Sequence, residues 1–464
     1  MNEETSWAES KSLEPEVTSA TEPHAVAGAQ PEAHDTLRLD VEQPSAPTGA
    51  GTGTTPEVPS DHVSLAAGMP TDPPAAAVSA ATVAEDPSEG RRRRRLVLRR
   101  RGEGESAPSG GKRVKKLIGL KIGASQIAAA RVINNGKPEL VEVVREPLEP
   151  GVMVSGEIRD AEALARALER FFELHGLPKK GIRLGVSNNR IGVRVFEIEG
   201  VTDAGQLENA IRFRAEEVLP IPLEEAILDY VVLEEGERED GTPVRRILLV
   251  VAYREVVERY LEACKGAGLE VVGIDLEAFA LLRSLVVPTD FLPGDGALVV
   301  VAVGHDRTTI AVSNGRFCEF TRMLDWGGWS LNVPIARALD MAPSEVEGIK
   351  RQLSFAEETT VEGLSPARTA SAREGLQRAL GVFARELVAS LQFYQAQPGA
   401  LGIGQIVLTG GTAHMSGFAE AVEGMVGVPV RLGDPFERVK LSKDVALSDQ
   451  SGSLAVAIGL GIED

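Results

Sequence analysis

The chain of 464 residues is acidic, with a formal charge of −19, and is poor in aromatics at 4%. Its two cysteines (Cys264, Cys318) form no CxxC pair and its six histidines show no HExxH spacing, which argues against a disulfide framework and a metal centre. No apolar stretch approaches the roughly 18–20 residues of a membrane span, and the polar start "MNEETSWAESKSLEPEVTSA" is not a signal peptide; a cytoplasmic protein is expected.

Residues 1–112 read as a disordered tail, rich in Ala, Pro, Thr, Ser, Gly and Glu and without a sustained period. Residues 1–90 carry 16 acidic and 2 basic side chains, whereas residues 91–116 carry 12 basic and 2 acidic ones. The basic run is "RRRRRLVLRRR", Arg91 to Arg101. It reads as a solvated linker charge, as a patch for an anionic membrane surface worth about 1 kcal/mol per basic residue, or as a nucleic-acid contact. The remainder is acidic, which makes a general nucleic-acid surface the least favoured of the three.

From Val114 the pattern becomes α/β. "LIGLKIG", "QIAAARVI" and "ELVEVVREPL" predict three strands, and "DAEALARALERFFELHG" a helix with Leu164, Leu168, Phe171 and Phe172 on one face. "GIRLGVSNNRIGVRVFEI" predicts two strands around a Ser187-Asn188-Asn189 turn. Helix, proline-marked loop and strand follow in "LENAIRFRAEEVLPIPLEEAILDYVVLEE", then a strand–helix–strand unit ends at "LEVVGID". A second half opens near Gly296 with three more strands in "ALVVVAVGHDRTTIAVSNGRFCEFTRML". The helices "SLNVPIARALD" and "SEVEGIKRQL" come next, and "AEETTVEGLSPARTASA" reads as a loop. The long helix "REGLQRALGVFARELVASLQFYQ", the strand "QIVLTGG" and a helix near "MSGFAEAVEGMVG" close the pattern. Strand meanders alternating with helices imply α/β layers on mixed sheets.

The two halves repeat. "KIGASQIAAARVINNGK" and "AVGHDRTTIAVSNGR" share an apolar run, a glycine turn, a strand and an Asn-Gly turn, with Lys121 opposite Ala302 and Gly123 opposite Gly304. Such turns present backbone amides to a phosphate chain. A third glycine turn, "TGGTAHMSG", stands between a buried strand and a helix. With "AIRFRAEEVLPIPLEEAILDYVVL", "FTRMLDWGGWSLNVPIARALDMAPSEVEGIKRQL", "ARELVASLQFYQAQ" and "IVLTGGTAHMSGF", this layout resembles the actin-like ATPase superfamily. Within that superfamily it resembles the PilM family of type IV pilus assembly, which is itself similar to FtsA.

The resemblance implies a ribonuclease H-like duplicated, two-lobed fold. Subdomain 1A would cover 113–195 and 274–295, a 1C-type subdomain 196–273, and the second lobe 296–464 with a 2B-type insertion at about 335–395. ATP would lie between the lobes, touching Lys121, Gly123, Ala124 and Ser125 in the first turn. The second turn would supply Gly304, His305, Asp306, Arg307 and Thr308, with Gly327 and Gly328 beside it. Gly410, Gly411 and Thr412 would face the adenosine, with Glu386 and Ser390 on the long helix. In the family pattern an Asp stands two residues before each phosphate-loop glycine and holds Mg²⁺. Here those positions are Lys121 and Ala302, so ATP is implied but Mg²⁺ is not.

Lys121 then admits two readings: an ammonium paired with phosphate in place of metal, or a lysine reaching solvent beside a degenerate pocket. No residue presents itself as a general base. The leading expectation is a non-catalytic scaffold peripheral to the inner membrane, docking the N-terminus of a PilN-like inner-membrane protein on 1A and 1C. The alternative is a working, filament-forming ATPase of the FtsA kind, although "SLAVAIGLGIED" lacks the basic face of FtsA's membrane helix.

Overall fold

The computed structural model describes residues 116–218, 222–287, 296–356, 359–443, 445 and 451–463. The expected tail and the arginine run lie outside the described residues.

The first lobe begins with an antiparallel meander of β1 (Lys116–Ile122), β2 (Gln126–Ile133) and β3 (Glu139–Pro147). A small hairpin, β4 (Met153–Val154) and β5 (Glu157–Ile158), leads into α1 (Ala161–Leu174). Asp160 caps α1 by accepting from the Ala163 amide, and the Leu164, Leu168, Phe171, Phe172 face is buried as the period demands. The chain then forms β6 (Lys180–Val186), β7 (Ile191–Glu199), α2 (Ala204–Val218), β8 (Ala226–Glu237), β9 (Pro243–Tyr253), α3 (Arg254–Gly266), β10 (Glu270–Leu276) and α4 (Glu277–Leu285). The second lobe contains β11 (Ala297–Val303), β12 (Thr308–Ser313), β13 (Cys318–Leu324), α5 (Gly328–Leu339), α6 (Glu347–Lys350), α7 (Pro366–Gln395), β14 (Ile403–Thr409), α8 (Phe418–Val426) and β15 (Val430–Leu432). The short β16 (Lys440–Leu441) and α9 (Ala455–Gly461) follow.

The duplication is visible in the sheets. One sheet runs β10-β6-β1-β2-β3-β16 and the other β13-β12-β11-β14-β15. Each is a three-stranded antiparallel meander extended by two strands parallel to its first strand. This is the actin-like layout that the sequence repeat implies. β7, β9 and β8 form a separate three-stranded sheet, with Leu207, Ile211 and Ala215 of α2 in its core.

The two strands expected around the Ser187-Asn188-Asn189 turn are β6 and β7, and since they belong to different sheets the turn is a crossover. The three-stranded sheet covers Ile191–Tyr253, starting before the expected 196 and ending before 273, because α3 packs on α1 and β10 returns to the first sheet. The helices expected as a 2B-type insertion share one continuous core with the second sheet, from Val299 and Ile310 to Ile335, Leu376, Phe383 and Phe418. α7 starts inside the segment expected to be a loop, because Ser365 caps it by accepting from the Arg368 amide and Pro366 stands in its first turn.

The end of the described chain returns to the first lobe. β16 pairs with β3, and α9 packs against α4, β1 and β2. Gly119 and Gly459 permit this contact, since a Cβ on either would collide with a carbonyl oxygen, of Ala457 and Ala280 respectively. The stretch "SLAVAIGLGI" therefore forms core, with Ala455 to Gly461 all buried.

Candidate functional site

The two hairpin turns have the same geometry. The Gly123 amide donates to the Gln126 carbonyl at 2.9 Å, and the Gly304 amide to the Arg307 carbonyl at 2.8 Å. Lys121 and Ala302 occupy matching places: Lys121 lies opposite Ala128 on the antiparallel side and Gly185 on the parallel side, Ala302 opposite Thr309 and Thr409. What surrounds the two turns is not the same.

At the first turn, the Lys121 ammonium lies 3.6 Å from the carboxylate of Glu277, the first residue of α4, with the two side chains 20% and 9% exposed. Lys121 is thus engaged by a carboxylate within the fold, and neither reaching solvent nor awaiting phosphate alone describes it. Glu277 was not singled out from the sequence; it opens a helix directly after a strand of the first sheet, the place where an acid faces the neighbouring strand ends.

At the second turn, Asp306 is held from the other lobe. The amide of Ser155, in the tip between β4 and β5, donates to its carboxylate at 2.8 Å. Ser155 adopts a left-handed conformation at φ 53°, and Gly156 follows at φ 69°. Both Asn188 Nδ2 and Tyr260 OH donate to the Gly156 carbonyl, at 2.9 and 3.2 Å. Burial raises the Tyr260 phenol above its usual range, keeping it a neutral donor. Arg307 completes the contact: one nitrogen lies 3.0 Å from the Met323 sulfur, another 3.5 Å from Asp325, and its buried Nε has no partner. Burial lowers the Arg307 pKa, opposed by Asp325 and Asp306.

The second and third glycine turns meet. The Gly304 carbonyl accepts from the Gly328 amide at 2.9 Å and from Thr412 Oγ1 at 3.3 Å. Gly410 sits at φ 93°, where a Cβ would strike the Val303 carbonyl, while a Cβ on Gly411 would meet open space. His305 packs its ring 5.7 Å from Trp329, and burial depresses its pKa despite nearby Asp306. Thr308 turns inward and donates to the Trp326 carbonyl at 2.7 Å. Ala124 and Ser125 remain half-buried in the first turn.

Glu386 makes no hydrogen bond or ion pair with the glycine turns among the described residues. It is exposed on α7, its carboxylate makes no hydrogen bond or ion pair among the described residues, and Ser390 Oγ returns to the Glu386 carbonyl at 2.7 Å. The charged pair beside the glycine turns is instead Glu347 and Lys350 on α6. Lys350 Nζ donates to the Gly328 carbonyl at 2.9 Å and to Glu347 at 2.7 Å. Burial lowers the Lys350 pKa. For Glu347, burial raises the pKa, but bonds from Lys350 and Asn332 outweigh it and leave it lowered. The i, i+3 spacing in "EVEGIKRQL" is the signal that would have found this pair.

The residues present do not fit a hard divalent cation. Neither Lys121 nor Ala302 offers a carboxylate, Glu277 faces an ammonium, and Asp306 is engaged by an amide. Among the described residues no cluster of three or more metal-ligating side chains exists.

A second feature lies beside the cleft. A groove of about 670 Å³ is lined by β7, the ends of β6 and α4, β13 and the segment closing α7, including Phe196, Phe320, Phe393 and Arg214. Among the described residues β7 is an edge strand, paired with β9 on one side. Arg246 crosses from β9 to Glu319 at 3.0 Å, and Tyr394 OH donates to the same carboxylate at 2.7 Å.

Fold and site together define a two-lobed protein of the actin-like ATPase class. The family described as type IV pilus assembly protein PilM matches residues 119–464, and the chain belongs to that family. A solved PilM–PilN type IV pilus biogenesis complex is similar in fold, with a TM-score of 0.63 and 24% identity over 75% of this chain and 98% of that one. The cell division protein FtsA of Pseudomonas aeruginosa is 28% identical over 69% of this chain and 84% of its own length. FtsA of Bacillus subtilis is 23% identical over 60% of this chain and 70% of its own. No helix among the described residues is long and apolar enough to cross a membrane.

Proposed function

We propose that the chain is a cytoplasmic, non-hydrolysing scaffold of type IV pilus assembly. It would recruit an extended cytoplasmic segment of a PilN-like inner-membrane protein into the groove beside β7. The observation that carries this reading is the groove itself: β7, at the edge of its sheet among the described residues, lines it together with Phe196, Phe320 and Phe393, an arrangement suited to an extended peptide held by backbone bonds and side-chain anchors. A PilN partner is supported by the similar PilM–PilN complex. ATP remains a proposed ligand of the glycine turns and the Lys350–Glu347 pair. Metal-assisted hydrolysis is not proposed, because the two acids it requires are absent from the hairpins.

The test is calorimetric titration of a peptide copying the N-terminus of the same organism's PilN-like protein. Deleting 196–273 is unsuitable, since it would remove β10 from the first sheet. Phe393 is 49% exposed and lines the groove, so Phe393→Asp spares the core. It should weaken the peptide roughly tenfold or more by placing charge on an apolar anchor. Unchanged affinity would move the recruiting face elsewhere.

A further inference from the structure

We propose that the cavity between β5, the β6–β7 crossover and the start of α3 binds a phosphate group through Arg159, Arg190 and Arg259. This cavity shares no lining residue with the groove beside β7 or with the three glycine turns.

The cavity holds about 230 Å³ and collects charge from three elements. Arg159 follows β5, Arg190 precedes β7, and Arg259 lies in the second turn of α3. Two shared carboxylates link the three guanidinium groups. Glu157 stands 3.2 Å from Arg159 and 3.8 Å from Arg190, and Glu255 stands 3.8 Å from Arg190 and 3.3 Å from Arg259. Each neighbouring pair of arginines is therefore already within reach of one anionic group. The carboxylates do not saturate them. Three cations face two anions, and the Arg190 guanidinium, 5.5 Å from the Tyr253 ring centroid, has no acceptor within hydrogen-bond distance among the described residues. The first turn of α3, with Glu255 and Val256, lines the same wall, and no side chain caps its start. The positive end of that helix adds to the field of the arginines.

A phosphate group offers more acceptor oxygens than a carboxylate, so it can take a planar fork from one arginine while bonding a second. Arg190 and Arg259 form the more open pair. Glu255 between them is 64% exposed, and an exposed ion pair holds its partners weakly, so this carboxylate can swing into solvent. Glu157 is 32% exposed and stays with Arg159. A phosphate between Arg190 and Arg259 then exchanges a loose ion pair for multidentate bonds beside an uncapped helix start.

The probes are inorganic phosphate and pyrophosphate, titrated calorimetrically into the full chain in phosphate-free buffer. Pyrophosphate should bind, and added salt should weaken it. Arg190→Gln and Arg259→Gln should each weaken it about tenfold, the loss of one charge-assisted contact. Both side chains are about half exposed, and thermal melting checks that each variant folds. Glu255→Gln should tighten binding, because the carboxylate competing for both arginines is gone; a purely structural ion-pair network gives no such gain. A soluble phosphate ester and a lipid headgroup share this chemistry, and vesicles of phosphatidylglycerol run against phosphatidylcholine separate them. Vesicle binding that falls with Arg190→Gln places the phosphate on a lipid, and vesicle binding indifferent to it leaves a soluble phosphate as the ligand. No binding of either phosphate probe, an affinity surviving both arginine substitutions, or no gain from Glu255→Gln would overturn the proposal.

Discussion

The hairpins β1–β2 and β11–β12 share a topology and a turn bond, yet their matching residues Lys121 and Ala302 stand in different surroundings. In the first lobe a lysine stands at this position and is neutralised by Glu277 at 3.6 Å from its own lobe. In the second lobe a small apolar residue stands there, and the nearest acid in the turn, Asp306, is gripped by the Ser155 amide of the opposite lobe. The comparison separates two surroundings for matching places in a duplicated hairpin: an ion pair within one lobe, and an acid held by an amide of the other lobe.

The second hairpin depends most on its glycine support. Gly410→Ala should have the largest effect, roughly 3 kcal/mol, because alanine pays for the left-handed conformation and also meets the Val303 carbonyl. Chemical denaturation should show it, and a loss below about 1 kcal/mol would mean that β11 and β14 separate readily.

The first hairpin is probed by Lys121→Ala. Glu277 would remain 9% exposed without its cation, at a cost of roughly 1–3 kcal/mol. Melting temperatures should fall most near neutral pH and recover on acidification, which protonates the stranded carboxylate. No change would show that the pair is immaterial to the first lobe.

The smallest expected effect is a pH dependence peculiar to the second lobe. The Gly452 amide donates to His414 Nε2 at 3.2 Å, and burial lowers the His414 pKa, so the folded state holds a neutral ring. Above the ordinary histidine value of about 6.5 both folded and unfolded rings are neutral and the group contributes nothing to pH dependence. Below it the unfolded chain takes up a proton that the folded chain resists, so stability falls as pH drops. His305, also lowered by burial, has the same sign. His414→Gln should flatten the slope of melting temperature between neutral pH and about pH 5.

The sequence revealed the duplication because each hairpin is local: apolar strands, a glycine turn and an Asn-Gly turn lie within a few residues. The meeting of Gly304 with Thr412, 108 residues apart, followed from the family resemblance and not from local spacing. Glu277 and Ser155 were not readable, since each acts on a residue far along the chain and neither forms a motif with its neighbours. For Glu386 spacing decides less, because a long amphipathic helix offers charged positions on every outward turn.

The central claim is that side chains now stand where a metal would be held. Calorimetric titration of ATP into the full chain, with Mg²⁺ and then with excess chelator, tests it most directly. The account predicts the same affinity, weak or absent, in both conditions, and no release of phosphate in either. Binding strengthened tenfold or more by Mg²⁺, or phosphate release that depends on it, would contradict the account.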